Sequence, residues 1–223
     1  MTTRWVTFDC FGTLVDWHTG FSAILSPLFG TRTSAVMRAY HTHEREVEAE
    51  RPHRLYKDVL ATALLRAATA LGLELSEDEA RRLPQTWASQ PLFADVEEML
   101  TGLRAMGCRL AVLTNCDDDL FARTHQCFRQ SFDLVITAER VRDYKPSLAH
   151  FRAFPEASGA SPDDWVHVAC SWYHDIAPAR VLGIKSVWFD RTGTEEDASV
   201  ASAHVRSAST ICETVKRLYE TAA

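Results

Sequence analysis

The sequence predicts an α/β fold: a doubly wound parallel sheet with an all-helical segment inserted after its first strand. Three observations carry this expectation. A short run of β-branched and aromatic residues, Trp5-Val6-Thr7-Phe8, ends in Asp9. Residues 17 to 91 then show only helical spacing, and from Pro91 onward strand-like and helix-like stretches alternate. Such alternation builds parallel sheets through right-handed crossovers. A chain of 223 residues is long enough for one large domain, or for a core with an inserted subdomain.

The first strand closes on Asp9-Cys10-Phe11-Gly12-Thr13-Leu14-Val15-Asp16, in which a Gly-Thr pair turns the chain. Apolar residues then recur at helical spacing: Phe21, Ile24, Leu25 and Leu28; Val36, Met37 and Tyr40; and Leu55, Val59, Leu60, Ala63, Leu64 and Ala67. Ser76-Glu77-Asp78-Glu79 has the spacing of a capping box opening a further helix toward Trp87. His41 and His43 stand two residues apart on the second of these helices, so they do not share a face. A solvated polar surface is expected there rather than a metal site.

After Pro91 a helix from Val96 to Met106 precedes the strand Cys108–Leu113, which ends in Thr114-Asn115. Asp117-Asp118-Asp119 starts the next helix, and Phe132–Ile136 is a strand. Tyr144-Lys145-Pro146 leads into a helix from about Leu148. Trp165–Ala169 is the next strand and ends in Cys170-Ser171-Trp172-Tyr173-His174-Asp175; Gly183–Phe189 is read as the last. The expected organisation is a Rossmann-like core of residues 1–16 and 92–223 around a helical cap of residues 17–91.

Composition narrows the function classes. A hydrophobic content of 46% and a charged content of 24% describe an ordinary globular protein, and a net charge of −6 argues against nucleic acid as a partner. Six cysteines are scattered without a CxxC pair, which suits reduced thiols better than a disulfide frame or zinc site. No apolar run of signal-peptide type precedes Asp9 and no stretch reaches transmembrane length, so no membrane association and a cytoplasmic location are expected.

Polar groups gather where strands end: Asp9 and Thr13, Thr114 and Asn115, Ser171 and Asp175, with Lys145 in a loop between them. In a doubly wound sheet these loops open on one edge, where ligands bind. A nucleophilic carboxylate, hydroxyl and amide donors, a lysine and a distal carboxylate make a substitution centre. Capping or turn chemistry would explain each singly, but would have to be invoked four times over.

The four segments Asp9-Cys-Phe-Gly-Thr-Leu, Leu113-Thr-Asn, Tyr144-Lys-Pro and the stretch closing on Asp175, in this order over nearly the whole chain, resemble the motifs of the haloacid dehalogenase superfamily. The helical insertion is similar to that family's cap. Phosphatases of the superfamily carry a second Asp two residues after the nucleophile, where this chain has Phe11, and use an acid pair for Mg²⁺, where this chain has Ser171 four residues before Asp175. The sequence therefore resembles the metal-independent 2-haloacid dehalogenases, which use no cofactor.

That resemblance implies that Asp9 attacks a small 2-haloacid and that water cleaves the resulting ester, with Lys145, Asp175 and Thr13 supporting the catalysis. It implies substrate contacts from Phe11, Arg38, Thr114, Asn115, Ser171, Trp172 and His174, with Arg38 cradling the leaving halide and His174 a possible base. Related dehalogenases are often homodimers, so a homodimer is the assembly the resemblance implies. This chain departs from the L-2-haloacid pattern at Cys170-Ser171-Trp172, where Ser-Ser-Asn is usual, and at Phe151, where Tyr is usual. Another small carbon electrophile, or a phosphate monoester with Mg²⁺, stays open as the alternative substrate.

Overall fold

The computed structural model describes residues 3–220. Strand β1 (Trp5–Phe8) leads into α1 (Trp17–Phe29), α2 (Thr33–Ala49), α3 (Tyr56–Ala70) and α4 (Glu77–Thr86). The chain continues through α5 (Val96–Ala105), β2 (Arg109–Thr114), α6 (Asp118–His125), β3 (Leu134–Thr137), the single turn α7 (Ala138–Val141) and α8 (Ala149–Ser158). It ends with β4 (Trp165–Ala169), α9 (Ala177–Val181), β5 (Lys185–Phe189), β6 (Ala203–Val205) and α10 (Ile211–Glu220).

All strands run parallel in the order β3-β2-β1-β4-β5-β6. The order reverses between β1 and β4, and the crevice above that point is where open α/β sheets bind ligands. Register sets the strand ends side by side: Phe8 pairs with Val112 on β2 and with Val168 on β4. Asp9 therefore emerges between the ends of two neighbours, its backbone N–H donating to Val168 O at 3.2 Å.

Both sheet faces are covered, which is why these strands read as nearly continuous apolar runs. Alternation along β1 sends Val6 and Phe8 into one core with Leu103, Ile211 and Val215, and Trp5 into another with Phe151, Phe154 and Ala179. Thr7 and His167 share the second face, fully buried among those apolar residues.

The expected helical stretch is present as α1–α4, in which α2 packs on α3 and α3 on α4. The capping box forms as expected: Ser76 Oγ accepts from the Glu79 N–H, and the Glu79 carboxylate accepts from the Ser76 N–H. Asp117 precedes α6, but its carboxylate serves another helix. Its two oxygens accept from the Tyr56 and Lys57 N–H groups at the start of α3, at 2.6 and 2.9 Å. An anion satisfying orphan donors at a helix N-terminus fastens α3 to the loop that follows β2.

One expectation needs correction: Gly183–Phe189 is not the last strand. Ala203–Val205 adds β6 alongside β5, with Val187 opposite Ala203. Three residues at the sheet edge, one of them an exposed histidine, give no alternation to read, and short edge strands resist unwanted pairing. Among the described residues no helix is long and apolar enough to cross a membrane.

Candidate active site

The turn after β1 aims the Asp9 carboxylate. Leu14 N–H donates to Cys10 O at 2.8 Å and Gly12 N–H to Val15 O at 2.8 Å. Gly12 adopts φ 97°, which L side chains rarely reach, and a Cβ there would meet the Trp17 ring at 3.2 Å. The turn also returns Thr13 beneath Asp9. Thr13 Oγ–H donates to Asp9 Oδ2 at 2.8 Å and Thr13 Oγ accepts from Cys170 N–H at 2.9 Å, so this hydroxyl stitches the end of β1 to the end of β4.

Lys145 joins the two carboxylates. Its Nζ donates to Asp9 Oδ1 at 2.9 Å, Asp175 Oδ1 at 2.7 Å and Leu113 O at 2.8 Å, which uses all three ammonium hydrogens. Its backbone is held in turn by Asn115. The Lys145 N–H donates to Asn115 Oδ1 at 2.7 Å and Asn115 Nδ2 donates to Lys145 O at 3.0 Å. Asn115 is thus spent largely on placing the lysine.

Lys145 and Asp175 are buried and Asp9 nearly so, so pairing decides which charges survive. Burial works against the Lys145 ammonium, but Asp175 and Asp9 hold its pKa above the ordinary value. Burial would also raise Asp175, yet Lys145 and His167 bring it down to about 2. Asp9 goes the other way: burial raises it, with the Asp175 charge adding to the effect, against the pull of Lys145 and Thr13. Burial pushes the His174 imidazole down, so it is neutral near pH 7. The thiol of Cys10 is pushed well up by burial and is no competing nucleophile.

A cavity of about 510 Å³ opens above these groups. Of the residues expected at the site, Asp9, Phe11, Thr114, Asn115, Lys145, Ser171, Trp172, His174 and Asp175 all line it. Thr13 lies just behind, against Asp9. Thr114 Oγ is buried and has no hydrogen-bond partner, which leaves a hydroxyl free at the wall. Trp172 and His174 sit in a π-turn over Trp172–Ile176 that Ser171 caps, its Oγ accepting from the His174 N–H at 3.1 Å and contacting His174 Nδ1 at 2.9 Å. Phe151 is buried beneath the site, edge-on to His167 at 5.2 Å between ring centroids.

Arg38 is the exception. It is exposed on α2 and does not line the cavity. Arg45 lies on the same helical stripe seven residues on, about 10 Å along the axis, and does line it. Arg45 stacks its guanidinium over Tyr173, 5.0 Å from the ring centroid, and among the described residues has no carboxylate within 4 Å. His41 and Glu48 also face the cavity from α2, so the solvated surface expected of His41 and His43 is found only at His43, which pairs with Glu46 at 2.8 Å on the exposed side. Glu44 lies between them, its Oε1 accepting from Tyr40 O–H at 2.8 Å and Tyr56 O–H at 2.7 Å. Burial raises the Glu48 carboxyl well above its ordinary value.

Two further residues escaped the sequence reading. Arg191 donates from Nε to Thr13 O at 2.8 Å, pairs with Asp95 at 2.8 Å and is sandwiched between the Phe93 and Phe189 rings. His167 donates from Nε2 to Asp175 Oδ1 at 3.0 Å. A histidine inside a fully buried strand was the signal for the second, since such a group must be partnered.

Known proteins resemble the chain throughout this frame. The profile of the haloacid dehalogenase-like hydrolase family matches residues 3–183. A haloacetate dehalogenase H-2 of Moraxella sp. (strain B) is 26% identical over 196 residues, covering 84% of this chain and 86% of that one. An (S)-2-haloacid dehalogenase of Pseudomonas sp. (strain YL) is 26% identical over 225 residues, covering 98% and 95%. Among solved structures, that of the L-2-haloacid dehalogenase RSc1362 shares the fold with a TM-score of 0.88 at 23% identity, covering 97% of this chain and 100% of that one.

Proposed function

The chain belongs to the haloacid dehalogenase-like hydrolases, and we propose that it hydrolyses the carbon–halogen bond of small 2-haloacids through an ester on Asp9. The observation that carries this reading is the pairing at the sheet edge. Asp9 stands at a cavity wall with one oxygen on Lys145 and the other on Thr13, beside Phe11, which has no proton to give. Displacement at carbon suits such a site: the Asp9 carboxylate bonds to C2, the carbon–halogen bond breaks, and halide leaves with the electron pair. Water then adds to the carbonyl carbon of the Asp9 ester. The product 2-hydroxy acid departs with the oxygen that Asp9 contributed, and the carboxylate is restored.

Asp175, held ionised by Lys145 and His167, orients that water and takes its proton; His174, neutral and at the wall, is placed to assist. Arg45 takes the anion-binding role expected of Arg38, with Thr114 Oγ–H as a second donor. Phe11 and Trp172 supply apolar wall, which strengthens these charge interactions by excluding water. We infer that the segment 17–91 acts as the cap, since α2 supplies Arg45 to the cavity. The location we propose is the cytoplasm, since six scattered cysteines without a CxxC pair suit a reducing compartment.

Phosphate monoester hydrolysis with Mg²⁺ is the less favoured reading. A hard cation wants several anionic oxygens, and Lys145 Nζ already stands between Asp9 Oδ1 and Asp175 Oδ1. The test is halide release from chloroacetate and both 2-chloropropionates in EDTA, beside phosphate release with Mg²⁺. Halide release in EDTA that is lost in Asp9→Asn is expected. Phosphate release that requires Mg²⁺, with no halide formed, would overturn the reading.

A further inference from the structure

A buried chain of hydrogen bonds runs behind the site, from the second core to Asp175. Trp165 Nε1 donates to Thr7 Oγ at 2.7 Å. Thr7 Oγ lies 2.8 Å from His167 Nδ1, and His167 Nε2 lies 3.0 Å from Asp175 Oδ1. An indole N–H only donates and a carboxylate only accepts, so Thr7 Oγ accepts from Trp165, His167 Nε2 carries the hydrogen that meets Asp175 Oδ1, and the Thr7 hydroxyl has its own hydrogen left for Nδ1. The imidazole proton is then on Nε2, pointing at Asp175. The histidine is thereby a donor to Asp175.

The consequence falls on Asp175. Its Oδ1 receives two hydrogens, from Lys145 at 2.7 Å and from His167 at 3.0 Å, while Oδ2 is buried without a partner in a residue of the cavity wall. We propose that His167, locked by Thr7 and Trp165, is a positioning residue that fixes which Asp175 oxygen stays free for the hydrolytic water. This rests on the function proposed above. Without the Nε2–H, the carboxylate can turn about Cβ–Cγ and offer either oxygen to Lys145. Lys145 would still hold Asp9, so ester formation would continue while ester hydrolysis slowed.

The two steps separate experimentally. With 2-chloropropionate, His167→Leu is expected to release its first equivalent of halide within a few-fold of the normal rate. Steady turnover should fall about 10- to 100-fold, and intact-mass measurement of quenched samples should show an adduct on Asp9 that the unmodified enzyme does not accumulate. His167→Gln, which returns an N–H donor, should recover most of that loss. Equal slowing of both steps without adduct in both variants would overturn the proposal.

Nitrogen NMR of histidine-labelled protein gives a readout free of substrate, with the His167 signals assigned by their absence from His167→Gln. A hydrogen on Nε2 is expected, with disturbance of that pattern in Thr7→Val. A bare Nε2, with the proton on Nδ1, would overturn the proposal even if turnover behaved as expected. Correct NMR signals in an enzyme that releases no halide would instead overturn the dehalogenase reading and leave the hydrogen-bond chain standing.

Discussion

On the sheet side of the cavity, Asp9 at the end of β1, Lys145 in the loop after α7 and Asp175 in the turn after β4 meet, far apart in sequence and joined through one ammonium group. On the helix side, Tyr40, His41, Glu44, Arg45 and Glu48 come from a single face of α2. The charges of the sheet side are held in place: every hydrogen of Lys145 Nζ is committed and Thr13 is bonded on two sides. The helix side holds Arg45 with no carboxylate partner within 4 Å among the described residues and Glu48 with its carboxyl pushed toward protonation. The difference separates chemistry, which needs fixed charges, from recognition, which needs charges still available to a ligand.

If that division holds, substitutions on the two sides should differ in kind. The largest effect belongs to Asp9→Asn, which removes the proposed nucleophile with little change in shape. Halide release should fall by at least about 10⁴-fold, while the circular dichroism spectrum stays unchanged.

Lys145→Met comes next. It leaves two buried carboxylates facing each other without their cation, which should cost about 3–5 kcal/mol of stability as well as activity. Its pH dependence sharpens the test. Asp175 is held at about 2 in the fold, below the ordinary carboxylate value near 3.9. Its contribution to stability is therefore complete above about pH 4 and lost as pH falls toward 2. Denaturant melts should show the gap between Lys145→Met and the unmodified protein narrowing as the pH is lowered through that window.

On the helix side, Arg45→Ala should raise KM for 2-chloropropionate about tenfold or more, the cost of one charge-assisted contact. Arg38→Ala should leave KM and kcat unchanged. Equal effects from the two would break the assignment of the anion site.

The smallest effect concerns the onset of activity with pH. Burial raises Asp9, and a protonated carboxyl cannot attack. The acid limb of kcat/KM should therefore have its midpoint above about 3.9, read from initial rates across a buffer series.

Much of the sheet side was legible in the sequence because strand-end residues project from predictable places. A short apolar run followed by Asp9, Thr114-Asn115 or the segment to Asp175 is enough to bring them to one edge. The helix side was not legible to the same degree. Arg38 and Arg45 differ by seven residues and share a stripe, so helical phase cannot choose between them; the position of α2 along its own axis does, and tertiary packing sets that. His41 read as solvated surface, like His43, because a polar residue on a helix does not announce what covers it. His167 did carry a signal, since a buried strand seldom spends an interior position on histidine. Arg191 carried none, because its contacts with Thr13, Asp95 and two phenylalanine rings exist only once the sheet has formed.

A single turnover in heavy-oxygen water shows whether Asp9 itself joins the substrate. With enzyme in excess over 2-chloropropionate, the lactate formed should carry ordinary oxygen, and the peptide containing Asp9 should gain the heavy isotope. Heavy oxygen in the lactate, with an unlabelled Asp9 peptide, would mean that water attacks the substrate carbon and that Asp9 forms no ester.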